Sequence, residues 1–162
     1  MTPFSSIELV IADVDGTLTD GSMYYGENGE VLKRFTTYDG VAVAMLRDVG
    51  IETALITAET SPIVIARANK LRISKVVLGS VAKDRDLLDI CGHFGVAPHL
   101  TAYLGDDVGD LPAMKLAGLS VAVANATREV KKLANVTLTT RGGEGALREL
   151  AEMIVSSRSD VQ

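Results

Sequence analysis

The feature that most constrains this chain is an apolar run cut short by two carboxylates: Leu9-Val10-Ile11-Ala12, then Asp13-Val14-Asp15-Gly16-Thr17. A short continuous apolar run marks a strand buried on both faces, as in a parallel sheet. Open α/β sheets place their ligand sites beyond the C-terminal ends of such strands, which is where the two carboxylates emerge. Alternate residues of a strand share a face, so Asp13 and Asp15 start out pointing the same way. Like charges that close are costly unless a proton or cation neutralises them, and an oxygen-seeking cation such as Mg²⁺ is the natural answer. A solvated turn is the competing reading of Asp-x-Asp-Gly-Thr alone, because Asp and Gly are common turn residues.

Downstream, Glu27-Asn28-Gly29 lies between two β-prone runs and predicts a hairpin over residues 21–35, inserted between the first strand and its helix. Isolated two-stranded hairpins are marginal in water, so this one is expected to pack on its own domain or on another subunit. Further strands are predicted at Ile51–Ile56, Val76–Gly79, Tyr103–Gly105, Leu119–Val123 and Asn135–Thr140. Helices open at Asp39-Gly40, Ser61-Pro62, Lys83, Leu111, Thr127 and Ala146, with Pro98 to Ala102 read as a connection. This alternation predicts an α/β fold: a three-layer, doubly wound, mostly parallel sheet with right-handed crossovers. The chain of 162 residues suits a single domain, residues 1–162, with a flexible tail from about Ser156 to Gln162.

Composition removes several function classes. A net charge of −5 carries no basic footprint for nucleic acid. No apolar run is long enough for a membrane span, and the N-terminus lacks the basic and apolar regions of a signal peptide. The single cysteine, Cys91, allows no internal disulfide and reads as a small core residue of a cytoplasmic protein.

Polar groups then gather at four strand ends: Asp13 and Asp15, Thr57, Lys83 after the third main strand, and Gly105-Asp106-Asp107-Val108-Gly109-Asp110. In a parallel sheet all of these lie along one edge. Carboxylates from two strand ends can hold Mg²⁺, while a hydroxyl and an ammonium bind phosphoryl oxygens. One aspartate can attack phosphorus and its neighbour can protonate the leaving oxygen.

With these motifs spread over nearly its whole length, the chain resembles the haloacid dehalogenase superfamily of phosphotransferases. The resemblance implies that Asp13 is the nucleophile and becomes an aspartyl-phosphate. It makes Asp15 the general acid and then base, contributing its carbonyl to Mg²⁺. Asp106, with Asp107 beside it, completes the metal's protein ligands, and Asp13 is also one of them. Thr57 and Lys83, together with Gly16 and Ala58, are the implied phosphate-binding residues, and Asp110 orients its neighbours, for instance through Lys83. Neither gap that usually holds a cap domain has room for one. A capless chain with a hairpin after Asp20-Gly21, Asp39-Gly40 beyond it, and Gly142-Gly143-Glu144-Gly145-Ala146 near its end is similar to the 3-deoxy-D-manno-octulosonate 8-phosphate phosphatase family. That resemblance implies a homotetramer assembled through the 21–35 hairpin, a sugar-acid phosphate substrate, and a glycine-rich loop from Arg141 lying near an adjacent active site.

One departure bears on substrate choice. That family usually follows the motif Thr with Gly-Arg, whereas this chain has Thr57-Ala58-Glu59. Reversing a charge there changes how a carboxylate-bearing substrate is held. Capless relatives acting on nine-carbon sugar-acid phosphates, and phosphatase-like domains joined to acylneuraminate cytidylyltransferases, are similar to Glu59 with Lys70. Eleven residues apart, the two are expected on one helix face, Lys70 toward the sugar carboxylate and Glu59 either binding a hydroxyl or orienting a Lys or Arg. Arg67 either points at the site or solvates the same helix.

The expected function is thus Mg²⁺-dependent hydrolysis of a 2-keto-3-deoxy sugar-acid phosphate. A non-catalytic assembly module has no need of Asp13, Asp15, Thr57, Lys83 and Asp106 together. A phospho-receiver domain would carry an aspartate where this chain has Val76-Val77-Leu78-Gly79. Hydrolysis of another small phosphate ester stays open, because a capless site leaves specificity to loops and neighbours.

Overall fold

In the computed structural model, which describes residues 4–159, the run Leu9–Ala12 forms strand β1, and all four of its residues are wholly buried. Burial on both faces explains why no polar residue interrupts it. The hairpin arms are β2 (Tyr24–Gly26) and β3 (Gly29–Leu32). Strands β4 (Glu52–Ile56), β5 (Lys75–Val77), β6 (Thr101–Gly105), β7 (Leu119–Ala122) and β8 (Val136–Thr137) follow. The helices are α1 (Thr37–Asp48), α2 (Pro62–Leu71), α3 (Lys83–Phe94), α4 (Leu111–Met114), α5 (Arg128–Leu133) and α6 (Ala146–Ser159).

Six strands make one parallel sheet in the order β5-β4-β1-β6-β7-β8, and among the described residues the antiparallel hairpin pairs only with itself. The chain leaves β1 toward β4 on one side and returns to its other side at β6. Right-handed crossovers in opposite directions put the connecting helices on opposite faces of the sheet. Accordingly α1 packs against α2 and α6, while α4 packs against α3 and α5. In α6 the buried residues Leu147, Leu150, Ala151 and Ile154 recur at the three- and four-residue spacing of a helix. Each large apolar side chain buried this way contributes about 1.5–3 kcal/mol. Thr36 caps α1 by accepting the Tyr38 N–H at 3.3 Å.

Several boundaries differ from the sequence expectation. Residues 156–159, expected to fray, continue α6, because Arg158 reaches back to the carbonyl oxygens of Val49 and Ile7 and so ties the last turn to the body. The remaining tail residues, 160–162, lie outside the described residues. The expected connection over Pro98–Ala102 is a 3-10 turn, Pro98–Leu100, and β6 already begins at Thr101, whose hydroxyl caps that turn through the Pro98 carbonyl at 2.7 Å. Helix α4 stops at Met114 and β8 spans only two residues.

Candidate active site

The strand order reverses at β1, so its C-terminal end and that of β6 open side by side, the place where a doubly wound sheet leaves a crevice. Ala12 is level with Leu104, and the Asp13 N–H donates to the Leu104 carbonyl at 3.0 Å. The Asp13 and Asp106 loops are therefore adjacent by register alone. Their approach is close: a β-carbon on Gly16 would stand 2.1 Å from Asp106 Oδ2, and Gly16 has φ +88, so only glycine fits. The Thr17 hydroxyl completes the contact, donating to Asp106 Oδ1 at 3.3 Å.

Lys83, the first residue of α3, extends over the same edge. Its ammonium donates to Asp13 Oδ1 and to Asp110 Oδ1, each at 2.7 Å. Asp110 has a structural task as well. Its Oδ1 also accepts the Tyr103 hydroxyl at 2.8 Å, and its Oδ2 accepts the N–H groups of Asp106 at 2.9 Å and Asp107 at 3.2 Å. Four donors exhaust the acceptor sites of a carboxylate, so Asp110 shapes the loop and anchors Lys83 rather than facing outward. Across the crevice the Thr57 hydroxyl donates to Asp15 Oδ2 at 3.1 Å, with Thr57 itself fixed by its N–H to the Val77 carbonyl at 2.9 Å.

The electrostatics are lopsided. Asp13, Asp106 and Asp110 bring oxygens within 4.8 Å of one another, with a single ammonium, Lys83, between them. Burial, followed by the charge of Asp110, raises Asp13 well above the usual carboxylate range, against the pull of Lys83. The same two causes raise Asp106 to about 6. Burial opposes the Lys83 charge, but Asp13 and Asp110 outweigh it and raise its pKa. The cluster lacks positive charge, and its donors are hard oxygens, the set that suits a divalent cation such as Mg²⁺. With Asp110 saturated, Asp13 and Asp106 are the carboxylates left for that role.

These groups line a cavity of about 210 Å³ bounded by Asp13, Asp15, Thr57, Ala58 and Lys83 on one side and by the Asp106–Asp110 loop, Asp107 and Asp110 included, on the other. Glu59 lies on its rim and also borders an adjoining cavity of about 230 Å³ between the hairpin residues Tyr25 and Glu30 and the start of α2. The Gly16 N–H, expected to meet phosphate, donates to Thr19 Oγ1 at 3.1 Å inside its own loop.

Asp107, expected beside the metal, lines the cavity, while its exposed carboxylate accepts the Val108 N–H at 2.7 Å and caps the turn Val108–Asp110. Other expected site residues fall elsewhere. Glu59 and Lys70 do not share a helix face, because α2 begins only at Pro62. Lys70 lies about 12 Å further along that helix at 1.5 Å per residue, toward the opposite edge of the sheet. Arg67 does not enter the cavity: its guanidinium donates to the Thr36 carbonyl at 2.9 Å and lies over the Phe35 ring at 5.5 Å. Arg141 is exposed beside Glu144, and the loop it opens rests on its own chain, the Gly143 N–H donating to the Thr17 carbonyl at 3.1 Å.

Two neighbours of the site escaped the sequence reading. Lys33, whose side chain has no exposure, ion-pairs with Asp15 and, at 2.6 Å, with Glu30. Burial works against its charge, but those two carboxylates outweigh it and raise its pKa. Its signal was a lysine at the alternate position between Val31 and Phe35, where one strand face is otherwise apolar. Tyr103 was the other, since a buried tyrosine hydroxyl requires a partner.

Known proteins resemble this chain in both sequence and backbone. The profile of the haloacid dehalogenase-like hydrolase family matches residues 51–150. The 3-deoxy-D-manno-octulosonate 8-phosphate phosphatase of Haemophilus influenzae is 42% identical over 94% of this chain and 85% of its own length. The Salmonella typhi enzyme of the same name is 38% identical over 96% of this chain and 82% of its own. Among solved structures, the cobalt-bound form of the Haemophilus influenzae phosphatase superposes with a TM-score of 0.96 at 40% identity, covering 98% of this chain and 92% of that one. The Moraxella catarrhalis octulosonate phosphatase, in complex with magnesium, phosphate and 3-deoxy-D-manno-octulosonate (KDO), gives 0.93 at 34% identity, covering 98% and 91%. Likeness of this extent in sequence and backbone makes the chain a phosphoric monoester hydrolase of the haloacid dehalogenase-like family, in its capless 3-deoxy-D-manno-octulosonate 8-phosphate phosphatase branch.

Proposed function

We propose that this enzyme hydrolyses the phosphate ester of a 2-keto-3-deoxy sugar acid, octulosonate 8-phosphate first among them, through an aspartyl-phosphate on Asp13. The observation that carries the reading is the Lys83 ammonium bridging Asp13 and Asp110 with Asp106 alongside. It holds a carboxylate oxygen in place beside a site built for anionic oxygens. Asp13 attacks phosphorus as the ester P–O bond breaks, and the leaving sugar oxygen takes a proton from Asp15. Water then attacks the same phosphorus while Asp15 takes its proton, releasing inorganic phosphate and restoring the Asp13 carboxylate. Thr57 and Lys83, with the backbone at Ala58, hold the phosphoryl oxygens. Mg²⁺ bound by Asp13, Asp106 and the Asp15 carbonyl would supply positive charge against those oxygens.

The adjoining cavity between Tyr25, Glu30 and Glu59 has room for the sugar. Glu59 favours a second reading, a nonulosonate 9-phosphate, since it sets a carboxylate on this rim where octulosonate phosphatases usually carry Gly-Arg after the motif threonine. The exposed apolar residues Met23, Tyr24, Tyr25, Val31 and Leu32 support assembly through the hairpin into a homotetramer. The lone buried Cys91 fits a cytoplasmic setting. The deciding experiment is phosphate release with Mg²⁺ from octulosonate 8-phosphate and nonulosonate 9-phosphates, by wild type, Asp13→Asn and Glu59→Arg. Abolished turnover in Asp13→Asn supports the nucleophile, and undiminished turnover there sinks it. If Glu59→Arg leaves the substrate ranking unchanged, the nine-carbon reading fails.

A further inference from the structure

We propose that Lys33, carried in by the hairpin, is a positioning residue that holds the Asp15 carboxylate so that its Oδ2 oxygen exchanges the proton. This rests on the reading of Asp15 as proton carrier given above. Lysine is almost never fully covered without partners, and a buried ammonium is tolerated only when carboxylates meet it. Lys33 meets two: Asp15 through Oδ1, and Glu30 at 2.6 Å. Glu30 in turn accepts the hydroxyl of Ser61, the residue that caps α2. The base of the hairpin is thus fastened both to the first catalytic loop and to the end of α2 that borders the cavity, although its strands pair with nothing else.

Asp15 is held at both oxygens, by Lys33 on Oδ1 and by Thr57 on Oδ2 at 3.1 Å. A hydroxyl has one proton to donate. Once the Thr57 hydroxyl turns its hydrogen bond to a phosphoryl oxygen, Lys33 is the remaining side-chain hold on the Asp15 carboxylate among the described residues. The oxygen it leaves open is Oδ2, the one on the Thr57 side, where phosphate binds. A proton shuttle works only at hydrogen-bond reach, so loss of this hold would slow both proton transfers without weakening substrate binding.

The test compares Lys33→Met and Lys33→Arg on two esters in the presence of Mg²⁺. p-Nitrophenolate leaves without needing a proton, so forming the aspartyl-phosphate from p-nitrophenyl phosphate bypasses Asp15, whereas hydrolysing it does not. Lys33→Met should therefore release a burst of nitrophenolate approaching one equivalent per site. A steady state about 10- to 100-fold slower than wild type should follow. With octulosonate 8-phosphate the same variant should show no burst, a comparable or larger loss in kcat, and a nearly unchanged KM, and Lys33→Arg should recover part of kcat. Should Lys33→Met fail to fold, Glu30→Gln removes the second anchor of the ammonium and must give the same burst with a smaller loss. Equal losses on both esters without a burst, an unchanged kcat, or a raised KM at constant kcat would each overturn the proposal. Wild-type turnover of p-nitrophenyl phosphate but of no sugar-acid phosphate would defeat the substrate reading instead and leave the Lys33 test standing.

Discussion

Gly142→Ala should damage the active site from a position outside the cavity lining. A β-carbon on Gly142 would lie 1.8 Å from the Gly16 carbonyl oxygen, 2.6 Å from its carbon and 3.1 Å from the Thr19 oxygen. A relaxed carbon–oxygen contact is about 3.3 Å, so the two loops must part by about 1.5 Å. The obstacle is backbone, which cannot rotate aside as a side chain does. Overpacking of this kind costs about 1–3 kcal/mol. At roughly 2–4 °C per kcal/mol for a chain of this size, that lowers the melting temperature by about 2–12 °C. The larger effect falls on catalysis: Gly16 follows Asp15 directly, and a displacement of about 1 Å at reacting groups costs on the order of 100-fold in rate. The assay is kcat for phosphate release at a temperature where calorimetry shows the variant still folded. Gly92→Ala is the control, an exposed position within α3 with nothing inside 4 Å of its β-carbon. It should gain about 0.5–1 kcal/mol from helix propensity and keep wild-type kcat. A folded Gly142→Ala enzyme with wild-type kcat would refute the claim that the C-terminal glycine loop braces the first catalytic loop.

Three further outcomes are expected. Asp39, in the first turn of α1, is buried against the start of α6, where it accepts the Arg148 N–H at 3.3 Å; burial raises its pKa to about 6 even though the Arg148 and Leu147 N–H groups oppose that. Its folded-state pKa exceeds the unfolded value, so the native state holds the extra proton and stability is lost as pH rises from about 4 to about 6. The loss is at most about 3 kcal/mol, and Asp39→Asn should remove it; urea midpoints of the two proteins that run parallel from pH 4 to 7 would contradict this. Lys83→Met leaves Asp13 and Asp110 buried without their cation and should cost about 3–5 kcal/mol in metal-free urea unfolding, a loss under 1 kcal/mol refuting the bridge. Mg²⁺ at about 100 times its Kd should stabilise wild type by about 2.7 kcal/mol, and Asp106→Asn should reduce that gain in a thermal-shift measurement, an unchanged gain counting against Asp106 as a ligand.

Much of this protein was legible before any coordinates. The run Leu9–Ala12 had to be a strand buried on both faces, because four apolar residues cannot alternate between core and water. Asn28-Gly29 had to turn the chain, and the alternation of strands with helices left a parallel sheet whose C-terminal edge gathers Asp13, Thr57, Lys83 and Asp106. Such features are local, set by residue type and spacing over a few positions.

What tertiary structure decided were the contacts between segments distant in sequence. Asp106, Asp107 and Asp110 read alike along the chain, yet Asp110 is saturated by Lys83, Tyr103 and two backbone N–H groups while Asp107 caps a turn. Glu59 and Lys70 looked like partners at helical spacing until the helix proved to start at Pro62. Lys33 belonged, by sequence, to an exposed hairpin; only the fold of that hairpin onto the Asp15 loop placed its ammonium beneath the site. Periodicity shows which face a residue lies on, but a hydrogen bond or ion pair requires two specific atoms to meet, and that is settled only when the whole chain is packed.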